Sequence, residues 1–225
     1  MTRAILFDTE TTGLEPHLGH RVIEIAALEL ENDLPTGLQF HRLIHPDRDI
    51  PDDATRIHGF TLTHLANKPH FEEIVDDLLA FIGDSKLIAH NAPFDFGFLN
   101  AELTRLGRPL LLADRMIDTL ALAKTRFPGM PNSLDALCRR FAIDLSARTT
   151  HNALLDCKLL AAVYVELTGG RQRGFSLAAE KVEAELIVYT HDGIRSPRPI
   201  VPSEEELAAH AALLSRLKDP LWLQA

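Results

Sequence analysis

The sequence predicts an α/β protein: a mixed central sheet flanked by helices, with an extended C-terminal tail that ends in a short helix. Three observations carry that expectation. Residues 1–45 hold three apolar, strand-like runs and no helical repeat between them. From residue 71 on, short apolar runs alternate with helical patterns, as in a layered α/β sheet. After Gly169-Gly170 the pattern breaks, and a proline-spaced stretch leads to one capped helical segment.

The elements follow in order. Strands are expected at 3–8, 22–30 and 38–45, with NDLPTG (32–37) as the turn between the second and third. A helical repeat covers 71–82 and stops at Gly83. KLIA (86–89) reads as a buried strand. Pro93 suits the first position of a helix that runs to about Leu106 and halts at GRP. RMID (115–118) reads as a fifth strand. Helices follow near 119–126, 133–141 and 153–168, the last closed by the glycine pair.

Composition narrows the class. A chain of 225 residues builds one good core and an appendage. Its 46% hydrophobic and 24% charged content suits a soluble globular protein, and no apolar run approaches the roughly 18 residues of a membrane span. MTRAILFDTETTG meets Asp8 before the apolar region of a signal peptide develops. Cys138 and Cys157 form no C-x-x-C pair and read as small core residues in a reducing cytoplasm. The net charge is −9, of which residues 1–170 carry −8. That balance argues against strong unaided binding to nucleic acid.

Three acidic sites stand out. In ILFDTETTGL (5–14) an apolar strand ends in Asp8 and Glu10. Residues two apart on a strand share a face, so the two carboxylates project together. They repel unless a cation lies between them, and hard oxygens at that spacing suit Mg²⁺ or Mn²⁺. A solvated loop with two incidental acids is the plain alternative. In LIAHNAPFDFGFL (87–99) Asp95 falls in the first turn of a helix, just past the end of a buried strand. It complements the helix dipole there, and it also lies where ligands sit in open α/β sheets. In HNALLDCKLL (151–160) His151 and Asp156 are five residues apart, about 140° around a helix, so they are not neighbours on one. Asp156 is expected in the first turns and His151 in the loop before them.

Taken together, FDTETTGL, HNAPFDFGFL and HNALLD, in this order, resemble the DEDDh 3′–5′ exonucleases, a family with a ribonuclease H-like fold. The resemblance implies that Asp8, Glu10, Asp95, His151 and Asp156 are catalytic and that the four carboxylates hold two divalent cations. It also implies substrate contacts. The turn Thr9, Thr11, Thr12 and Leu14 meets the 3′-terminal nucleotide, and His58 of IHGFT contacts it as well. Asp53 stands where relatives carry a longer acid. Leu14 is the candidate wedge against the terminal base; a staple under its own loop is the alternative. Phosphodiester hydrolysis on two cations needs a base for the attacking water, and a His with an ordinary pKa near 6.5 suits neutral pH. With two cations bound, the charge of residues 1–170 falls to −4, still that of a weak DNA binder that relies on a partner.

Further stretches point to that partner. FPGMPNSLDALCRRFAID (127–144) and the third motif look like the proofreading branch of the family, the epsilon subunits of bacterial DNA polymerase III. This divides the chain into a nuclease domain, 1–170, and a linker with a polymerase-binding segment, 171–225. QRGFSL (172–177) resembles the peptides that dock on sliding clamps, through Gln172, Phe175 and Leu177. In the tail, Ser203 and Glu206 read as a capping box that starts a helix at 204, with Arg216 and Lys218 in its last turn and Pro220 ending it. Leu207, Ala211 and Leu214 line one face, and Trp222 follows in an apolar LWL. A lone helix of roughly 15 residues is marginal in water. These residues are expected to bind the polymerase alpha subunit, with packing back on the nuclease body as the alternative. The single-stranded 3′ end of DNA is the expected substrate, and a small accessory subunit is a partner the resemblance allows. An RNA-trimming exonuclease, a nonenzymatic scaffold and a transposase-like relative compete with this reading. The first has no use for the tail. The second conflicts with five filled catalytic positions, and the third with His151 and the lack of a basic DNA-binding domain.

Overall fold

The computed structural model describes residues 2–146, 148, 150–169, 199 and 201–218. In chain order the elements are β1 (Arg3–Thr11), β2 (Val22–Glu31), β3 (Leu34–Leu43), α1 (Asp52–His58), α2 (Leu62–Leu65), α3 (Phe71–Ile82), β4 (Lys86–Ala89), α4 (Ala92–Arg105), β5 (Met116–Asp118), α5 (Thr119–Arg126), α6 (Leu134–Arg140), α7 (Ala153–Leu167) and α8 (Glu204–Leu214). The sheet order is β3-β2-β1-β4-β5. β1 runs antiparallel to β2 and parallel to β4, and β4 runs parallel to β5. The sheet is mixed, as the meander followed by alternating strands and helices requires.

The two-residue period of β1 separates two cores. Ile5 and Phe7 pack with Phe71, Ile74 and Leu78 of α3 and Phe96 and Leu99 of α4. Leu6 packs on the other face with Cys157, Leu160 and Val163 of α7 and Leu137 and Cys138 of α6. Both cysteines are buried and free, as expected of core residues. α3 buries Phe71, Ile74, Val75, Leu78 and Ile82, the stripe its sequence shows, and each such large side chain contributes roughly 1.5–3 kcal/mol.

Several boundaries differ from the sequence expectation, each for a local reason. β1 continues through Thr11 because its backbone stays paired to β2 as far as Thr11↔Val22. The hairpin turn narrows to Asn32-Asp33, both with positive φ (51° and 67°), and β3 starts at Leu34. A two-residue turn of that hand matches the strand twist, and Asn and Asp tolerate it. β3 is an edge strand with Leu34 and Leu38 exposed, so its first half has no buried face to show in the sequence. α1 and α2 were not expected; they are short, and α1 buries only Ala54 and His58. α4 begins at Ala92, with Pro93 second.

The chain divides into two compact units, Met1–Ser176 and Leu177–Ala225. In the second, the capping box forms: Ser203 N–H donates to Glu206 at 2.8 Å and Glu206 N–H to Ser203 Oγ at 3.2 Å. α8 ends at Leu214, so Arg216 and Lys218 lie beyond it instead of in its last turn. It buries none of its residues, and a helix without packing has little to extend it. Gln172, Phe175, Leu177 and Trp222 lie outside the described residues.

Candidate active site

The alternation that sorts the core also sorts the acids. Asp8 and Glu10 follow Leu6 onto the α7 face of β1, while Thr9 follows Phe7 onto the α4 face. Thr9 receives Asp95: its backbone N–H and its hydroxyl both donate to Asp95 Oδ1, at 3.0 and 2.7 Å. Asp95 is carried there by α4, which starts where β4 ends. Its first N–H, that of Ala92, and the N–H of Asn91 both donate to Asp118 Oδ1, which also caps α5. On the other face Asp156 occupies the first turn of α7, with Asn152 as N-cap. His151 lies in the segment before that helix, its N–H tied to Ile57 O at 3.1 Å. The four carboxylates and His151 line one cleft of about 630 Å³ with His90, Asn91, Phe94, Asp135 and Arg148.

The electrostatics of the cluster are unbalanced. Burial, then the charges of Asp95, Glu10 and Asp156, pushes the Asp8 carboxyl well above the usual range. Glu10 is pushed up to about 8 by burial, then by Glu24, Asp156 and Asp95. Asp95 rises to about 7, mainly by burial, although Thr9 works against it. Asp156 is the exception. Burial opposes its ionisation, but hydrogen bonds from Arg148 and His151 hold it below the ordinary value. Glu10, His151 and Asp156 offer ligand atoms all within 4.8 Å of one another. Hard, crowded carboxylate oxygens whose charge Arg148 offsets only in part fit a divalent cation, and the residues present therefore suit the metal that the motifs imply.

Three residues around this cleft escaped the sequence reading. Arg148 grips both oxygens of Asp156, at 2.6 and 2.7 Å, and reaches Asp135 at 2.6 Å. No periodic pattern marks it. His90, beside Asn91 at the end of β4, hydrogen-bonds Thr119 Oγ1 through Nδ1 at 2.9 Å. Glu24 lies opposite Glu10 in the sheet and is fully buried. It accepts from Asn152 Nδ2 at 2.9 Å and Ala153 N at 3.0 Å, so it anchors the start of α7. The signal for Glu24 was present: one charge inside the apolar run VIEIAAL.

A smaller cavity of about 430 Å³ adjoins the cleft and is lined by Thr9, Thr11, Thr12, Leu14, Asp53, His58 and Phe94. Leu14 is 76% exposed, so it is not a staple under its loop. The Thr11 and Thr12 hydroxyls are engaged within the turn, by Gly13 O and by His20 and Arg21. The His20 ring presses on Gly13 so closely that a Cβ would meet it at 2.3 Å. His58 accepts from Phe60 N through Nδ1, while its buried Nε2 has no hydrogen-bond partner among the described residues. Asp53 is exposed and paired with Arg56. In the tail, Leu207 is exposed and Leu214 half-buried. A separate group, His45, Asp47 and His70, also gathers ligand atoms. There, Nδ1 of His45 accepts Asp47 N–H and the His70 ring caps α3, so those side chains serve the backbone.

Comparison with known proteins supplies the rest. The exonuclease family model matches residues 5–164. The DNA polymerase III subunit epsilon of Rickettsia felis is 49% identical over 221 residues, covering 96% of each chain. This chain belongs to the epsilon-subunit family of exonucleases. The Escherichia coli epsilon subunit is 39% identical, covering 95% of this chain and 93% of its own. Exonuclease X, solved with 5′-overhanging duplex DNA, is 28% identical, with a TM-score of 0.57 over 75% of this chain and 91% of its own. The nuclease domain of 3′hExo, a DEDDh member bound to rAMP, shares the fold, with a TM-score of 0.63 at 18% identity over 74% of this chain and 91% of its own. Epsilon subunits are proofreading 3′–5′ exonucleases that need divalent metal ions. The match over nearly the whole chain decides against the RNA-trimming, scaffold and transposase-like readings. Among the described residues no helix is long and apolar enough to cross a membrane.

Proposed function

We propose that this chain removes mismatched 3′-terminal nucleotides for a DNA polymerase III core, with Asp8, Glu10, Asp95, Asp156 and His151 as its catalytic set. One observation carries the reading: the half-buried Asp8 and buried Glu10 of β1 and the buried Asp95 of α4 crowd the end of a strand, and neither Asp8 nor Glu10 has a hydrogen-bond or ion-pair partner among the described residues. Two divalent cations, Mg²⁺ or Mn²⁺, bound there would activate water and neutralise the charge that develops on the phosphate. Asp8, on the central strand, would hold them together with Glu10, Asp156 and Asp95. Thr9 fixes the Asp95 oxygen that faces β1, and Glu24 fixes the start of α7 and so Asp156. His151, half-exposed at the mouth of the cleft, takes the proton of the attacking water.

The smaller cavity suits the terminal nucleotide. Leu14 stands at its rim as an apolar wedge, backbone groups of Thr11 and Thr12 line it, and the open Nε2 of His58 awaits a polar partner. Thr9 supports Asp95 before it serves substrate, and Asp53 contributes charge at the edge. No base-reading array accompanies these groups, so the action is independent of sequence, on a frayed single strand. The net charge of −9 leaves retention on DNA to partners in the cytoplasm. Residues 1–170 form the nuclease, and 171–225 carry the clamp peptide (Gln172, Phe175, Leu177) and the alpha-subunit anchor (Leu207, Ala211, Leu214, Trp222). An accessory subunit on the nuclease domain is compatible with this division.

The test is release of nucleoside 5′-monophosphates from a 5′-labelled single strand. Purified protein with Mn²⁺ should shorten it from the 3′ end. Activity that persists in excess EDTA, or in Asp8→Ala, contradicts the assignment.

A further inference from the structure

Among the described residues Arg148 is the one Lys or Arg hydrogen-bonded to the acid cluster, and its contacts are more specific than charge balance requires. Its Nε and Nη2 take the two oxygens of Asp156 at 2.6 and 2.7 Å. Nη1 reaches Asp135 Oδ1 at 2.6 Å, and Nη2 lies 3.0 Å from His151 Nδ1. The side chain is only 11% exposed. A guanidinium that binds a carboxylate through two parallel hydrogen bonds holds both of its oxygens in one plane.

Building on the metal-dependent reading above, we propose that Arg148 is a positioning residue that acts as an internal counter-cation. It holds Asp156 and His151 in place while the site is metal-free, and it yields Asp156 to the incoming divalent cation while Asp135 keeps hold of it. The geometry gives the two anchors different characters. Asp156 is buried inside the cluster and is needed by the metal. Asp135, in the first turn of α6, is more open, lies on the wall of the same cleft and has no part in the metal set. With Asp135 bound through Nη1, the guanidinium has to give up only its Nε and Nη2 contacts. Metal and arginine therefore compete for one carboxylate.

This predicts opposite signs for binding and turnover. Removing a residue that merely orients a ligand weakens metal binding, typically by about 10–100-fold. Removing a competing positive charge strengthens it, here by about tenfold at the effective dielectric of a half-buried site. Turnover falls in either case, because Asp156 and His151 lose their support. The experiment is calorimetric titration of Mn²⁺ into the full chain and its R148Q and D135N variants, beside turnover on a single-stranded oligonucleotide. R148Q should bind Mn²⁺ about tenfold more tightly and cleave more slowly. D135N, which leaves Arg148 only Asp156 to hold, should bind Mn²⁺ several-fold more weakly. Parental or weaker Mn²⁺ affinity in R148Q overturns the proposal; if R148Q does not fold, unchanged affinity in D135N overturns it. Asp8→Asn, run alongside, reports separately on the metal site: were it to bind Mn²⁺ like the parent, the metal reading itself would fail.

Discussion

Two groups of buried or half-buried carboxylates receive opposite treatment in this protein. Glu102 on α4 accepts two hydrogen bonds from Arg21 Nε, at 2.7 and 3.1 Å, and one from Val22 N at 3.2 Å. Glu24 is satisfied just as fully by His41, Asn152 and Ala153 N. Asp8 and Glu10, on the strand paired with that of Glu24, have no side-chain hydrogen bond and form no ion pair among the described residues. The fold can therefore pair a buried acid where an acid serves structure. Leaving Asp8 and Glu10 without partners marks them as sites for something added later, and the difference between the groups is the best physical indication of where the metal goes.

Breaking that contrast should give effects of decreasing size. Asp8→Asn should lower turnover by roughly 10³-fold or more, since several kcal/mol of transition-state stabilisation depend on the metal. The same change should raise the melting temperature in EDTA, because it removes repulsion; a lower melting temperature would show that Asp8 has a structural partner after all. His151→Ala should slow hydrolysis by about 10²–10⁴-fold while Mn²⁺ binding is largely kept. An unchanged rate and pH profile would remove it from the mechanism. In the paired group the loss appears in folding instead. Glu102→Ala leaves the half-buried Arg21 only Asp47 and Pro46 O to hold and should reduce stability by about 1.5–3 kcal/mol in urea unfolding. A loss under about 1 kcal/mol would mean that the pair is no more than a surface ion pair.

The smallest effect concerns pH. Glu10 and Asp95 are raised to about 8 and 7, so the native metal-free protein holds protons that the unfolded chain releases near pH 4. Their contribution is complete below the unfolded values and is lost as pH rises through the folded ones, so stability in EDTA should fall between about pH 4 and 8. Glu10→Gln should flatten that slope, and Mn²⁺ should offset it. A melting temperature in EDTA that is independent of pH over this range would show that burial does not perturb these acids.

The acids of the cleft were far easier to read in the sequence than the acids that serve structure. Asp8, Glu10, Asp95 and Asp156 each stand out where an apolar run ends or a helix begins, and a two-residue period already placed Asp8 and Glu10 on one face. The partners of the paired acids are distant in the chain. Glu24 meets Asn152 from 128 residues away, and Arg21 meets Glu102 from 81. No local pattern records such contacts. Arg148 escaped for the same reason: three residues before His151, in a loop, it has no periodicity to betray that it faces Asp156. Among the strands, those with a buried face were legible, whereas the start of β3 at the sheet edge was not. α8 was placed at its N-terminus by its capping box and overextended at its C-terminus, where no packing defines an end.

The most direct test of the central claim is Mn²⁺ titration of the parent, Asp8→Asn and Glu102→Gln, with folding of each checked by circular dichroism. The account predicts that Asp8→Asn loses Mn²⁺ binding and that folded Glu102→Gln keeps the parental affinity. Parental Mn²⁺ affinity in Asp8→Asn, or a loss confined to Glu102→Gln, would contradict it.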